Sequence, residues 1–246
     1  MPEFIFASEV ADLLPPALRG RPVVVAVAPH QSAKHAIEAL GVPHTEIGAV
    51  AVNGQKRPIS TRLAAGDRVE VFPRAPAAAV PGGETPRFIA DAHLGRLARY
   101  LRFAGIDTLW KNAWDDAELV AIAVGERRVA LTCDRALLMH RTLREGCYLR
   151  SRQPLAQLAA VARRYALELG APQASRCLEC NAVPRPVGKA EIAAELLPRT
   201  LAAFDEFWRC PGCARIYWRG SHWQRMRTAL ATAVRAPPAT SSSNAA

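Results

Sequence analysis

The chain has 246 residues, half of them apolar, and a formal net charge of +10. A chain of this length can bury the cores of two compact domains and a small module. It contains no run of about 18 apolar residues, so we expect no transmembrane helix. Its start, Met1-Pro2-Glu3-Phe4, lacks a basic and then apolar leader. We therefore expect a cytoplasmic protein with reduced thiols and no membrane partner.

The positive charge is unevenly distributed along the chain. Residues 1–83 carry 8 Lys and Arg against 7 Asp and Glu, whereas the remainder carries 24 against 15. Of those 24 basic residues, 22 are Arg, whose guanidinium group binds phosphate in a bidentate manner. The C-terminal two-thirds is therefore predicted to bind nucleic acid. The alternative is a GC-rich genome that favours Arg on an ordinary soluble surface.

The first predicted domain spans residues 1–74. Its predicted elements are the strands 4–7, 23–27, 50–52 and 67–72 and a helix over 32–40. Ser32 can cap the helix and Gly41 can end it, while Asn53-Gly54 is a tight-turn signal. This order of elements resembles the β-grasp, ubiquitin-like fold of small sulfur carriers.

Residues 75–85 (APAAAVPGGET) are predicted to be a linker because they are rich in Pro, Ala and Gly. Carriers of the β-grasp class end in Gly-Gly, and the linker contains Gly82-Gly83. Here the chain continues, so a flexible joint is favoured over a processed carrier. Residues 229–246 are predicted to be a tail, disordered from about 236, where the sequence is low in complexity.

Strand and helix patterns alternate in residues 86–170. The predicted strands are 88–90, 108–110, 129–132 and 147–150, and the predicted helices are 94–104, 116–124 and 153–169. Gly105 and Gly125 are predicted to end the first two helices. Such alternation predicts a parallel sheet that helices cover on both faces.

Four cysteines in residues 171–228 occur in two identical spacings. Cys177 and Cys180 form one C-x-x-C knuckle, and Cys210 and Cys213 form a second after 29 intervening residues. One knuckle could be a redox pair, but two favour a closed Cys₄ site for Zn²⁺. A closed site leaves no open position for chemistry, so the zinc is expected to be structural. A helical insert is predicted between the knuckles, at 191–197.

Carboxylates follow the predicted strands. Asp91 follows strand 88–90, Asp134 follows strand 129–132, and Asp115 and Asp116 open the helix between them. Ligands of parallel α/β sheets gather at this edge, and converging carboxylates repel one another unless a cation neutralises them. Mg²⁺ or Mn²⁺ suits such oxygen ligands and can support phosphodiester hydrolysis. Alternatively, each acid is a helix cap, and the further candidate Glu126 is a surface ion pair.

Basic and aromatic side chains are placed to contact RNA. Three arginines occupy the polar side of helix 94–104, one arginine adjoins Asp134, and an aromatic and basic run follows the second knuckle. The alternatives are a solvated helix face and, for the aromatic rings, a small core around the metal. The predicted RNA-binding residues are Arg96, Arg99, Arg102, Arg135, Trp223 and Arg225.

Together these motifs resemble a known family. The run Phe88-Ile89-Ala90-Asp91, the run Leu131-Thr132-Cys133-Asp134-Arg135 and both knuckles are similar to the Mut7-C RNase domain family, a PIN-like nuclease domain with a fused zinc ribbon. Residues 1–74 resemble the ubiquitin-like domain often joined to it in bacteria. The resemblance implies a metal-dependent ribonuclease with catalytic Asp91, Asp116 and Asp134, and Asp115 or Glu126 as further candidates. Cys133 stands where the family often has Arg, which removes a phosphate contact.

The expected fold class is α/β, with a β-grasp domain, a PIN-like three-layer domain with a parallel sheet, and a zinc ribbon. The expected function is metal-dependent RNA cleavage with Zn²⁺ in the ribbon and Mg²⁺ or Mn²⁺ at the carboxylates. One rival hypothesis is a non-catalytic RNA-binding adaptor in which the acids are caps. Another is that the β-grasp domain docks a protein partner or transfers sulfur.

Overall fold

The structure is a computed structural model that describes residues 1–28, 30–75, 86–169 and 175–235. The predicted linker with its Gly82-Gly83 pair, the predicted boundary at 170 and the predicted disordered tail from 236 lie outside these residues. The chain divides into two compact units. The first comprises Met1–Ala78 and Asp115–Tyr148, and the second comprises Ala79–Trp114 and Leu149–Ala246.

The N-terminal part of the first unit forms a mixed five-stranded sheet, in the order β2-β1-β5-β3-β4, with β1 and β5 parallel. The seven-residue helix α2 buries Ala33, Ala36 and Ile37 in the same core as the sheet residues Phe4 and Val69. This is the predicted β-grasp arrangement. Its elements are β1 (Glu3–Phe6), α1 (Ser8–Ala11), β2 (Val23–Val24), α2 (Ala33–Ala39), β3 (Ile47–Val52), β4 (Gln55–Arg57) and β5 (Arg68–Pro73).

Local signals fix two of these elements. The Ser32 hydroxyl accepts the His35 N–H at 3.4 Å and so caps α2, as predicted. Asn53 and Gly54 have φ values of 53° and 77°, the left-handed pair that a two-residue hairpin requires. That hairpin pairs β3 with β4, an edge strand that the sequence patterns did not predict.

Residues 86–114 contribute a parallel strand pair and one helix to the second unit. Leu97, Ala98 and Leu101 are fully buried on the inner face of the helix, and Gly105, with a φ of 84°, follows its end as predicted. The elements are β6 (Phe88–Ala90), a 3-10 turn (Ala92–Leu94), α3 (Gly95–Phe103) and β7 (Thr108–Leu109).

Residues 115–148 complete the first unit with a second parallel strand pair. The elements are α4 (Asp116–Gly125), β8 (Val129–Thr132), α5 (Arg135–Leu138) and β9 (Gly146–Tyr148). The predicted end of α4 is wrong by one residue. Gly125 is still helical, and the chain turns at Arg127, which has a φ of 53°.

The described residues between 149 and 235 form three further α-helices, a 3-10 helix and a three-stranded antiparallel ribbon, in the order β10-β11-β12. The elements are α6 (Pro154–Arg164), β10 (Arg185–Val187), a 3-10 helix (Lys189–Glu195), α7 (Pro198–Ala203), β11 (Phe207–Arg209), β12 (Ile216–Tyr217) and α8 (Ser221–Arg235).

Two predictions in this segment are wrong. The predicted helix 153–169 stops at Arg164, because Ala166 adopts a φ of 48°. The predicted module end at 228 falls inside α8, which continues to Arg235. Leu230 and Ala233, beyond the predicted end, are buried side chains of this helix.

The predicted fold class is confirmed: the chain is α/β, with an N-terminal β-grasp sheet, parallel strand pairs and a cysteine-bearing ribbon. All six cysteines are thiols rather than disulfides, as the sequence predicts for Cys133 and Cys147. Over the part of the chain that the structure describes, every helix is too short or too polar to cross a membrane.

Candidate functional site

The four predicted zinc ligands meet in the second unit. The sulfur atoms of Cys177, Cys180, Cys210 and Cys213 all lie within 4.8 Å of one another. The Sγ atoms of Cys177 and Cys213 are 3.4 Å apart, and those of Cys180 and Cys210 are 3.3 Å apart. Four thiolates about 2.3 Å from a tetrahedral ion are separated by roughly 3.8 Å. The cluster therefore has the composition and nearly the spacing of a closed zinc site.

The two knuckles have the same backbone geometry. Asn181 and Ala214, each directly after its second cysteine, adopt φ values of 70° and 58°. The N–H of Asn181 donates to the Cys177 carbonyl, and the N–H of Ala214 donates to the Cys210 carbonyl, both at 3.0 Å. This repeated turn aims both thiols of each knuckle at one point, which explains why the C-x-x-C spacing predicted the site.

The thiols of the cluster differ in acidity. Burial raises the pKa of Cys177, but hydrogen bonds from the Tyr217 hydroxyl and from two backbone N–H groups of the knuckle outweigh it and lower this pKa to about 6. Burial raises the pKa of Cys180 to about 12 and also raises that of Cys213. Of these three thiols, the protein alone favours the thiolate form only at Cys177, and a bound cation would stabilise the thiolate form of the others.

Arg102 supports the first knuckle from α3. Its side chain is only 1% exposed, and its guanidinium donates to the carbonyls of Leu178 and Glu179, both at 2.9 Å. It also donates to the carbonyls of Thr108 at 2.8 Å and Trp110 at 3.4 Å. The prediction that Arg102 binds RNA is wrong, because the knuckle covers this side of α3 and the guanidinium is bonded to the protein itself.

Replacing Arg102 with lysine should lower the free energy of unfolding by about 3 kcal/mol, because one ammonium group cannot reach four carbonyls and leaves buried acceptors without donors. Urea denaturation of the zinc-loaded protein measures this loss. The matched control is Arg96→Lys, an exposed position of the same helix, which should change stability by less than about 0.5 kcal/mol. Equal stability of the two variants would show that Arg102 does not anchor the knuckle.

A second set of contacts ties the knuckle to β7. The Asn181 side chain donates to Asp107 at 2.8 Å and accepts the N–H of Thr108 at 3.1 Å. Arg176 donates to the carbonyl of Gly105 at 3.2 Å and lies 3.7 Å from the Asp107 carboxylate. The sequence patterns did not predict this network, although Asn181 and Arg176 directly flank the first knuckle.

The predicted catalytic acids each begin a helix or turn, within their own units. In the first unit, Oδ1 of Asp115 accepts the N–H of Ala117 at 3.3 Å, and Oδ1 of Asp134 accepts the N–H of Ala136 at 2.7 Å. Both are therefore helix caps, the alternative considered from the sequence. Asp116 is exposed in the first turn of α4.

The remaining acids differ from these caps. In the second unit, Asp91 directly follows β6 and stands before the 3-10 turn Ala92–Leu94, which its carboxylate does not cap. In the first unit, Glu126 pairs with Arg128 at 2.7 Å, which fits the surface ion pair considered from the sequence. Among the described residues, the cysteine cluster is the one set of three or more such side chains close enough to share an ion. A Mg²⁺ or Mn²⁺ site at the carboxylates stays a prediction.

The other predicted RNA-binding residues have different surroundings. In the first unit, Arg135 donates to the Leu13 carbonyl at 2.6 Å and lies 5.0 Å from the centre of the Tyr148 ring. Arg135 thus joins the N-terminal β-grasp domain to α5. In the second unit, Arg99 forms an ion pair with Glu179, whereas Arg96 and Arg225 are exposed. RNA contact by these residues stays a prediction.

A groove of about 570 Å³ runs along the ribbon in the second unit. Arg99 and Phe103 of α3 line it together with Trp208, Arg219 and Trp223. The Arg219 guanidinium lies 5.2 Å from the ring centre of Trp208 and 5.8 Å from that of Trp223, whose edge meets Phe103. Arginines alternating with aromatic rings are typical of sites that hold unpaired bases. The sequence pattern found Trp223 but missed Trp208 and Phe103, which lie in other segments.

Comparison with protein families agrees with these features. Residues 86–230 match the family model of the Mut7-C RNAse domain, and residues 2–78 match that of the Mut7-C ubiquitin domain. Neither the curated proteins nor the solved structures contain a match to the chain. Because the first model alone covers more than half of the residues, the chain belongs to the Mut7-C RNAse domain family, with a Mut7-C ubiquitin domain preceding the nuclease domain.

Proposed function

We propose that the protein is a ribonuclease that hydrolyses RNA phosphodiester bonds with the help of Mg²⁺ or Mn²⁺. The observation that carries the proposal is the family match over 86–230, which contains all the acids predicted from the strand ends. Asp91, Asp116 and Asp134 are the proposed catalytic carboxylates. Asp115 and Glu126 are weaker candidates, because one caps α4 and the other is paired with Arg128.

The chemistry of the carboxylates fits hard divalent cations. A carboxylate has two oxygens, so Asp134 can cap α5 through Oδ1 and still offer Oδ2 to an ion. Asp91 directly follows β6, and Asp134 is the second residue after β8; each strand belongs to a parallel pair of its own unit. Ligands of α/β sheets are usually bound at such strand ends. A bound Mg²⁺ or Mn²⁺ ion would supply positive charge to stabilise the phosphate as it is attacked.

The ribbon is proposed to hold the substrate. Its cysteine cluster would bind Zn²⁺ and fix the groove that Trp208, Arg219 and Trp223 line. Unpaired bases can stack on the aromatic rings while guanidinium groups bind the phosphates. These contacts would position RNA without taking part in bond cleavage.

The first test is the cleavage of a labelled single-stranded RNA by zinc-loaded protein, with and without added Mn²⁺. We expect cleavage only with Mn²⁺, and at least about a hundredfold slower cleavage by Asp91→Asn, because the amide brings no negative charge to the cation. The control is Asp205→Asn, which changes an exposed acid of the ribbon and should leave the rate unchanged. Equal rates for wild type and Asp91→Asn would contradict the proposed role of this carboxylate.

The second candidate function is RNA binding without cleavage. The caps made by Asp115 and Asp134 and the Glu126–Arg128 pair favour it, since each gives an acid a structural role. A protein that binds RNA fully without Mn²⁺ and never cleaves it would support this candidate. The ubiquitin-like domain would then be the proposed docking site for a protein partner, which a pull-down that depends on residues 1–74 would detect.

A further inference from the structure

The first unit contains a strongly basic cavity of about 450 Å³. Lysines and arginines of the ubiquitin-like domain line one side of it, and the loop between α5 and β9 lines the other. Within the described residues, no Asp or Glu lines it. We call it the basic pocket, and its basic residues are Lys34, Lys56, Arg57, Arg74, Arg141 and Arg144.

Carboxylates compensate only part of this charge. Arg74 pairs with Glu145 at 2.6 Å, and Lys34 lies 4.0 Å from Glu38. The other four basic side chains are exposed and, among the described residues, have no carboxylate within 4.0 Å. Like charges gathered around one cavity repel one another and create a positive potential inside it. An anion bound in the pocket would relieve that repulsion.

The two sides of the pocket are held in place by contacts that do not use these four charges. His44 faces an acceptor with each ring nitrogen: Nδ1 lies 2.6 Å from Glu38 and Nε2 lies 2.7 Å from the carbonyl of Leu143. Leu143 is itself buried, and the neighbouring Glu145 is paired with Arg74. On the side formed by the ubiquitin-like domain, Lys56 lies on β4 and is paired with Ala51 of β3. The pocket is therefore formed by folded elements that are joined to each other.

We propose that the basic pocket binds the phosphate backbone of single-stranded RNA, an inference that rests on the ribonuclease function proposed above. Three of the four uncompensated residues are arginines, which suit phosphate oxygens. Arg141 follows Asp134 by seven residues, and seven residues span at most about 25 Å. An RNA strand held at Arg141 would therefore lie within about 25 Å of one of the proposed catalytic carboxylates, a distance that a few nucleotides can span. The ubiquitin-like domain would thus bind substrate together with the nuclease domain.

Protection of a sheet edge against pairing with other chains explains only two of the four uncompensated basic residues. β4 is an edge strand of its sheet, and exposed Lys and Arg on edge strands prevent pairing with other chains. That role accounts for Lys56 and Arg57 but not for Arg141 and Arg144, which lie on a loop. A common ligand accounts for all four.

The experiment measures RNA affinity of the full-length protein by fluorescence anisotropy of a labelled oligouridylate, without added Mg²⁺ or Mn²⁺, over a range of salt concentrations. The two variants are Arg141→Ala/Arg144→Ala and Lys56→Ala/Arg57→Ala, one for each side of the pocket. Each phosphate contact contributes about −0.7 to the logarithmic salt slope for single strands. Losing two contacts should reduce the slope by about 1.4 and the affinity by about 25-fold at 0.1 M salt.

The matched control is Arg62→Ala/Arg68→Ala, which removes the same charge from exposed positions of the same domain outside the pocket. It should keep the wild-type salt slope. If the pocket variants and the control variant bind RNA with the same affinity and salt slope, the proposal is wrong. Equal RNA binding is the result expected if the pocket instead holds an acidic protein segment. Because binding is measured without catalysis, a protein that never cleaves RNA but shows the predicted slopes would refute only the ribonuclease function.

Discussion

Replacing Asp134 with asparagine should reduce RNA cleavage by about a thousandfold or more, a rise in activation free energy of about 4 kcal/mol. The amide cannot supply the negative charge that a divalent cation needs. The fold should be unaffected, since asparagine caps helices about as well as aspartate and can still accept the Ala136 N–H that Asp134 accepts at 2.7 Å. Single-turnover cleavage with Mn²⁺ measures the loss of rate. Zinc analysis and thermal denaturation measure whether the fold is unaffected.

The comparison with Asp115→Asn separates catalysis from capping. Asp115 caps α4 in the same way as Asp134 caps α5, so both variants test the loss of a capping charge. If both lower the rate equally and slightly, the caps explain the effect. Cleavage by Asp134→Asn at the wild-type rate would remove this carboxylate from the mechanism.

Replacing Cys177 with serine should release the zinc and unfold the ribbon. Cys177 is fully buried, and its knuckle is bonded to both α3 and β7. Structural zinc sites bind with about 10–16 kcal/mol, which contributes directly to folding. We expect metal analysis to find no bound zinc. Hydrogen exchange should be faster at the amides of Arg176 and Asn181, whose N–H groups bond to Arg102 and Cys177.

Cys133→Ser is the control for this variant. Cys133 is a partly exposed thiol outside the cluster, so zinc content and amide exchange should match those of the wild type. A Cys177→Ser protein that keeps both its zinc and its slow exchange would mean that the cluster is not the zinc site.

Features set by neighbouring residues were predictable from the sequence. The C-x-x-C spacing predicted the cluster because each knuckle is a local turn that repeats the same backbone bonds. Asn53-Gly54 predicted a tight turn for a similar reason, since the conformation of the turn depends on these two residues. Ser32 and Gly41 likewise bounded α2 within one residue of the predicted ends.

Features set by distant residues were not predictable. The helical pattern placed Arg102 on a polar face, but a knuckle more than 70 residues away covers that face and buries the side chain. Arg135 contacts Leu13, 122 residues earlier, and His44 contacts Leu143, 99 residues later. No local pattern contains such pairs, so neither the role of Arg135 between the ubiquitin-like domain and α5 nor the basic pocket could be foreseen.

The most direct test of the ribonuclease account is the binding of Mn²⁺ to zinc-loaded protein, measured by the electron paramagnetic resonance signal of free Mn²⁺. We predict that the wild type binds Mn²⁺ and that Asp91→Asn and Asp134→Asn each weaken this binding about tenfold or more, because each removes a charged oxygen ligand. Asp205→Asn should bind like the wild type. Equal binding by all four proteins would contradict the claim that these carboxylates hold the catalytic cation.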